Sequence, residues 1–156
     1  KQIGIATIIY ATDNQDRFPW QVPIAEGGCA ESVSRLKADP DGFNKDNGRP
    51  AIVAFPDAFK AMRNELSNPL IVTCPADVTV VRVNNWDSFS EENISYKIGL
   101  EADESKPNNI LALCKHHDSQ FNVLLSDSTV QQVNKTQLQR IWLDQSVRGI
   151  GKLNIP

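Results

Sequence analysis

Four short strand-like segments in the second half of the chain constrain its fold most strongly. Each is a brief apolar or alternating run, and they cover residues 94–99, 109–114, 121–126 and 129–133. Only Asp127 and Ser128 separate the last two, a spacing typical of a β-hairpin. Because these segments follow one another without intervening helical patterns, they predict an antiparallel meander and an α+β fold.

Helical periodicity dominates the other parts of the chain. Residues 1–14 are predicted to form a helix with Ile5, Ile8, Ile9 and Thr12 on one face. We expect this face to pack against the sheet, on strand residues that recur at a spacing of two: Ile94, Ile98, Leu111, Leu113, Val123 and Leu125.

Three further helices and one more strand are predicted. A helix over 56–66 begins at Pro56, and its Phe59, Met62 and Leu66 form an apolar stripe typical of a core-facing helix. Shorter patterns predict helices over 31–37 and 136–145, the latter with Leu138, Ile141 and Trp142 on one face. The β-branched run LIVTC at 70–74 predicts a strand, so the sheet is expected within 70–133. Turn signals at 39–42 and 47–48 lie between the helices predicted over 31–37 and 56–66, and the tail from Ser146 is expected to be loose.

Composition favours a single globular domain over residues 1–156. Apolar residues make up 40% of the 156 and charged residues 22%, which is ordinary globular usage. A net charge of −3 gives nucleic acid no broad basic surface to bind. No apolar run reaches the ~20 residues that a membrane helix needs.

The sequence contains no recognised catalytic motif. The only histidine cluster is KHHD at 115–118, and neighbouring histidines on a strand point to opposite faces, so we interpret it as a turn. Further ligands at zinc-site spacing are not evident around it. Cys114 ends an apolar strand, where a thiol is usually inert. We therefore predict no catalytic residues, no cofactor and no required transition metal.

The acidic loop at 101–105 is the remaining candidate for an ion. Glu101, Asp103 and Glu104 supply oxygen ligands, but the loop lacks the twelve-residue spacing and the glycine of an EF-hand. We interpret it as a solvated connection.

Four segments in a fixed order, followed by the closing helix, carry a family resemblance: KQIGIATIIYATDNQDRFPW at 1–20, FKAMRNELSNPLIVTCPAD, ENISYKIGLEADESKP and FNVLLSDSTVQQV. In this order they resemble segments of bacterial type II secretion pseudopilins, the type IV pilin-like proteins, and more narrowly of the group abundant in Verrucomicrobia and Planctomycetes. In that group, the stretch similar to residues 1–20 follows the membrane helix.

This resemblance implies a pilin-like fold, in which an N-terminal helix packs on an antiparallel sheet. It further implies a structural subunit and not an enzyme, anchored in the inner membrane by an apolar helix half preceding Lys1, with a periplasmic or extracellular domain. The implied partners are other pseudopilins and secretion-system components, with no nucleic acid among them. On this interpretation, residues 1–14 are the second half of a longer helix.

A ligand-binding module on a pilin scaffold is the alternative interpretation. Trp20, Trp86 and Trp142 are its candidate carbohydrate platforms; Trp142 is better explained as core, whereas Trp20 and Trp86 lie in predicted loops.

Three cysteines, Cys29, Cys74 and Cys114, allow at most one disulfide. An oxidising periplasm would favour a bridge. The sequence leaves all three pairings open. It slightly favours Cys74–Cys114, which end two predicted strands, because closing a loop of ~40 residues would contribute about 3–4 kcal/mol by constraining the unfolded chain. Three buried free thiols are the alternative.

Overall fold

A computed structural model describes residues 1–38, 52–117 and 119–145, without the side chains of Lys37, Leu143 and Gln145. Its architecture is α+β, with helices and one five-stranded antiparallel sheet, as the strand pattern predicts. The helices are α1 (Gln2–Asp13), α2 (Ala30–Ala38), α3 (Pro56–Ala61), α4 (Arg63–Leu66) and α5 (Lys135–Gln145). The strands are β1 (Ile52–Val53), β2 (Tyr96–Gly99), β3 (Ile110–His117), β4 (Gln120–Leu125) and β5 (Val130–Asn134). Short 3₁₀ helices cover Pro19–Gln21, Ile24–Glu26, Pro69–Val72 and Glu91–Asn93.

The sheet is a simple meander in the order β1-β2-β3-β4-β5, and every neighbouring pair is antiparallel. The predicted hairpin between the last two strands is confirmed. Its loop is closed by a hydrogen bond from Ser128 N to Leu125 O, and Ser128 takes a left-handed conformation at φ 67°. This is a three-residue loop with a bulge rather than a two-residue turn.

Two apolar clusters pack on opposite faces of this sheet. The larger one joins α1, α2, α3 and α4 to strand residues such as Ile98, Leu111 and Leu124. The smaller one lies between α5 and the sheet and consists of Ile110, Leu113, Val123, Leu125, Val133, Leu138 and Trp142. The burial of Leu138 and Trp142 confirms the predicted inner face of the closing helix.

The prediction that α1 packs through the face containing Ile5, Ile9 and Thr12 is wrong. Ile5 and Ile9 are 47% and 48% exposed, and Thr12 is exposed as well. The helix instead buries a stripe made of one isoleucine, three smaller residues and one tyrosine: Ile3, Ala6, Thr7, Ala11 and Tyr10. This face is buried because its side chains let α1 approach the rest of the domain closely. The Thr7 hydroxyl lies 3.4 Å from Met62 Sδ, and the Tyr10 hydroxyl donates a hydrogen bond to Gly27 O.

The predicted spacing of two also fails in β3, because the strand contains a bulge. Ile110 pairs with Leu125 but Ala112 pairs with Leu124, so Leu111 is an extra residue in the ladder. Leu111 consequently contributes to the larger cluster whereas Leu113 contributes to the smaller one. Val123 and Leu125 do share a face, but it is the face that α5 covers.

The predicted strand at 70–74 is wrong, and so is the sheet boundary of 70–133. Pro69–Val72 forms a 3₁₀ helix, which Asn68 caps by accepting a hydrogen bond from Leu70 N. The additional strand is β1, a two-residue segment outside the predicted interval.

The other predicted helices are confirmed with small changes. The helix predicted over 56–66 is divided into two helices, α3 and α4, with Met62 as the residue between them. Phe59, Met62 and Leu66 are buried as expected. The segments predicted at 1–14, 31–37 and 136–145 correspond to α1, α2 and α5. The turn signals at 39–42 and 47–48, Asp118 of the KHHD segment and the tail from Ser146 lie outside the described residues. Among the described helices, none has the length and apolar character that crossing a membrane requires.

Candidate functional site

Two cysteines and one histidine meet where the loop after the 3₁₀ helix Pro69–Val72 passes the end of β3. The sulfur atoms of Cys74 and Cys114 and one ring nitrogen of His117 all lie within 4.8 Å of one another. Cys74 Sγ is 3.4 Å from His117 Nε2. Both cysteines are buried and His117 is half-buried, so the cluster meets solvent only at the histidine. We refer to these three residues as the Cys₂His cluster.

Strand β3 supplies two members of the Cys₂His cluster. Cys114 pairs with Tyr96 of β2 on one side and with Asn122 of β4 on the other. The register shifts between Cys114 and His117, where the strand approaches its hairpin. This irregularity lets Cys114 and His117, three residues apart, direct their side chains to a common point despite strand alternation.

The loop that carries Cys74 is fixed by a second contact to β3. His116 Nε2 lies 3.1 Å from Asp77 Oδ2, and Asp77 is almost fully buried. Asp77 Oδ1 also accepts hydrogen bonds from Thr79 N and Oγ1, and Asp77 N donates to Cys74 O. His116 and His117 therefore contact the same loop through different partners, and this pair of contacts fixes the position of Cys74.

The local environment sets the charge state of these groups. Burial and the adjacent Cys74 raise the pKa of the Cys114 thiol to about 12, so it is protonated at neutral pH. Burial likewise raises the pKa of Tyr96, which lies beside both cysteines, to about 12. For Asp77, burial acts to raise the pKa, but hydrogen bonds from Thr79 and the proximity of His116 act against it, and the pKa is lowered.

The chemistry of the cluster favours ligation over nucleophilic catalysis. A protonated, fully buried thiol is a poor nucleophile, and Cys74 is 1% exposed, which leaves a substrate no access to its sulfur. Two thiols and an imidazole are, by contrast, a ligand set that proteins use for zinc and other thiophilic metals.

Sequence reasoning identified each of these residues but not their juxtaposition. The sequence predicts a strand that ends at Cys74 and a turn at KHHD, and the turn prediction is wrong because β3 extends through His117. The available signal was local: Cys114 and His117 form a Cys-x-x-His spacing, and Cys74 precedes Pro75 at the end of an apolar run. The missing information was the path of the loop 73–77, which follows from the 3₁₀ turn before it.

Cys29 lies apart from this site, in the larger apolar cluster. Burial raises the pKa of its thiol to about 12, with smaller contributions from Asp57 and Glu31. All three cysteines are free thiols in this structure. Within the described residues the structure brings only Cys74 and Cys114 together, which is the pairing that the sequence slightly favoured.

The tryptophans do not form a common platform. Trp20 is only 5% exposed, packs edge-on against Phe18 and donates a hydrogen bond to Ala102 O, so the prediction that it is a platform is wrong. Trp86 is half-buried and packs edge-on against Phe89. Trp142 is buried on the inner face of α5, as expected for a core residue.

The acidic loop between β2 and β3 is organised by one of its carboxylates. Asp103 Oδ1 accepts hydrogen bonds from Ser105 N and Oγ, and Oδ2 accepts one from Gln21 Nε2. Glu104 is exposed. Asp103 is thus engaged in fixing the loop to the 3₁₀ helix Pro19–Gln21.

Comparison of this chain with protein-family models, with curated proteins and with solved structures finds no match.

Proposed function

We propose that this chain is a structural subunit of a pilus-like filament, similar to the pseudopilins of type II secretion, and not an enzyme. The ordered sequence resemblance over 1–20 and the segments that follow it is one support. The helix-then-meander order of an α+β fold is compatible with a pilin-like scaffold. On this proposal the domain is periplasmic or extracellular and is held at the inner membrane by the helix half that the resemblance implies before Lys1. Its partners are other pseudopilins and secretion-system components.

The observation that carries this proposal is the second apolar stripe of α1. One side of the helix is buried against the larger cluster, yet Ile5 and Ile9, one helical turn apart, are about half exposed on another side. An exposed pair of isoleucines on a helix has unsatisfied apolar surface, which packing against a neighbouring subunit would bury. A filament built around the N-terminal helices of its subunits needs such a stripe.

Site-specific photo-crosslinking tests this assignment. A photoreactive residue is placed at position 5 or 9 of the full-length protein in its bacterial host, and the cross-linked products are identified by mass spectrometry. We expect adducts with further copies of this chain or with other pilin-like proteins. Val78, which is 94% exposed and lies outside α1, is the control position and should give few such adducts.

Two outcomes would contradict the proposal. One is equal yields of pilin-like adducts from positions 5, 9 and 78. The other is a coding sequence upstream of Lys1 that lacks about twenty apolar residues and a basic leader, the number being what a membrane helix requires.

A ligand-binding module on the same scaffold remains the alternative prediction. Of its platform residues only Trp86 keeps a half-exposed ring, packed on one side by Phe89. A single aromatic ring gives weaker support than the α1 stripe gives to the filament subunit.

A further inference from the structure

We propose that Cys74, Cys114 and His117 bind a thiophilic divalent metal ion, specifically Zn²⁺. The inference does not depend on the filament proposal, because it rests only on the Cys₂His cluster and its surroundings.

The spacing of the three ligand atoms suits tetrahedral zinc. Zinc–sulfur bonds of about 2.3 Å and zinc–nitrogen bonds of about 2.0 Å place neighbouring ligand atoms of a tetrahedron roughly 3.5–3.8 Å apart. The sulfur of Cys74 and Nε2 of His117 are separated by 3.4 Å, and no pair within the cluster exceeds 4.8 Å. Small rotations of the side chains are sufficient to bring all three atoms to one ion.

The nature of the ligands selects the metal. Thiolates and imidazole prefer zinc and other soft or borderline ions over calcium and magnesium, which take oxygen ligands. Three protein ligands leave the fourth tetrahedral position for water, on the side of the half-buried His117.

The groups around the cluster are those that a metal site needs. The contact between His116 and Asp77 fixes the loop that carries Cys74 against the strand that carries Cys114 and His117. Tyr96 lies across the ladder from Cys114 and encloses the site on the β2 side. An ion bound here would tie the loop 73–77 to the end of β3, and the domain should therefore gain stability when the metal binds.

A Cys74–Cys114 disulfide is the competing use of the same two thiols. It accounts for the proximity of the sulfur atoms but gives no role to the imidazole 3.4 Å from Cys74. The test must therefore distinguish a dithiol that binds metal from one that is oxidised.

The experiment is a zinc titration of the reduced 156-residue chain, followed by calorimetry and by absorption with Co²⁺ as a spectroscopic substitute. We expect one zinc per chain, thiolate-to-cobalt charge-transfer absorption, and an unfolding midpoint that rises with zinc and falls again with chelator. Cys74→Ser, Cys114→Ser and His117→Gln should each weaken zinc binding by at least ~10-fold. Circular dichroism verifies that each variant is folded, and the half-buried His117 provides a variant that does not disturb the buried core.

A matched variant serves as the control. Cys29→Ala removes the cysteine outside the cluster and should retain one zinc per chain. Thiolate absorption that is lost in Cys29→Ala but kept in Cys114→Ser would overturn the assignment. So would a reduced chain whose zinc affinity is no higher than that of the Cys74→Ser/Cys114→Ser double variant. A chain isolated without reductant that carries a Cys74–Cys114 bridge and does not bind zinc after reduction would assign the pair to a disulfide.

Discussion

Asp103 illustrates how a single carboxylate fixes the connection between β2 and β3. Its two oxygens accept three hydrogen bonds, two from Ser105 and one from Gln21. The side-chain hydrogen bond from Ser105 is the largest cause of a pKa below the usual 3.8, and Gln21 and the charge of Lys106 act in the same direction. Burial acts against this shift but does not cancel it. The folded protein therefore prefers the ionised form of Asp103.

This preference predicts a pH-dependent stability for Asp103→Asn. A carboxyl whose pKa is depressed by folding stabilises the folded state at pH values above its unfolded pKa, near 3.8, and loses that contribution as pH falls through the lower folded value. We expect the variant to unfold at a lower denaturant concentration than the parent at pH 7, with the difference shrinking below about pH 3.8. Denaturant titrations of both proteins over pH 2–7 measure this difference in unfolding midpoint.

The neighbouring Glu104→Gln is the control, because Glu104 is exposed. It should match the parent protein at every pH. A loss of stability in Asp103→Asn that stays constant down to pH 2 would show that the charge of Asp103 does not contribute.

Residue-level prediction succeeded where a local pattern decides burial. Phe59, Met62 and Leu66 recur at helical spacing and are buried, even though the helix is interrupted at Met62. It failed for Trp20, whose loop position suggested exposure. Its burial depends on Ala102, 82 positions away in sequence, which accepts the indole hydrogen bond. A contact over that separation leaves no local signal.

At the scale of elements, the two faces of α1 show why apolar content alone does not identify a buried face. Isoleucines at positions 5 and 9 are the more hydrophobic choice, yet the stripe that includes Thr7 and Tyr10 is buried. Small side chains allow the helix to approach Met62 closely, and the tyrosine hydroxyl reaches Gly27 O. Shape complementarity and hydrogen bonding therefore outweigh hydrophobicity in the choice of face.

Matched alanine substitutions at Ile9 and Leu125 test this assignment. Leu125 is 5% exposed in the cluster beneath α5, and its truncation should cost about 2–5 kcal/mol of unfolding free energy. Ile9 is 48% exposed, so Ile9→Ala in the isolated domain should change the free energy by no more than about 0.5 kcal/mol. Urea denaturation measures both. Comparable losses at the two positions would mean that α1 packs on the face containing Ile9.

Element prediction was limited by two local conformations. LIVTC has strand propensity, but Asn68 and Pro69 begin a 3₁₀ turn, and Ile71 and Val72 contact the core from that turn. In β3 the bulge at Leu111 breaks the alternation that the sequence displays. The 3₁₀ turn sets the path to Cys74, whereas the meeting of Cys114 and His117 follows from the second register shift of β3, which lies between those two residues.

At the scale of the whole molecule, one sheet supports two apolar clusters of unequal size. The buried residues of the larger cluster include members of four helices and three of the strands, whereas those of the smaller cluster are five strand residues and two residues of α5. The α+β class and the meander order were predictable, since both follow from the sequence of local patterns. The division of the core was not, because it depends on which strand face each helix covers.

The unequal clusters predict that the α5 side of the molecule opens first. β5 is an edge strand, and of its residues only Val133 is buried, so α5 and β5 depend chiefly on the smaller cluster. Segments with less buried apolar surface open at lower free energy than the rest of a domain. Native-state hydrogen exchange should therefore show lower opening free energies for the amides of α5 and β5 than for those of β2 and β3. Leu138→Ala should lower the opening free energies of the amides of α5 and β5 further. The difference in opening free energy between the amides of β2 and those of β3 should stay unchanged. Equal opening free energies on both sides would show instead that the two clusters unfold as one cooperative unit.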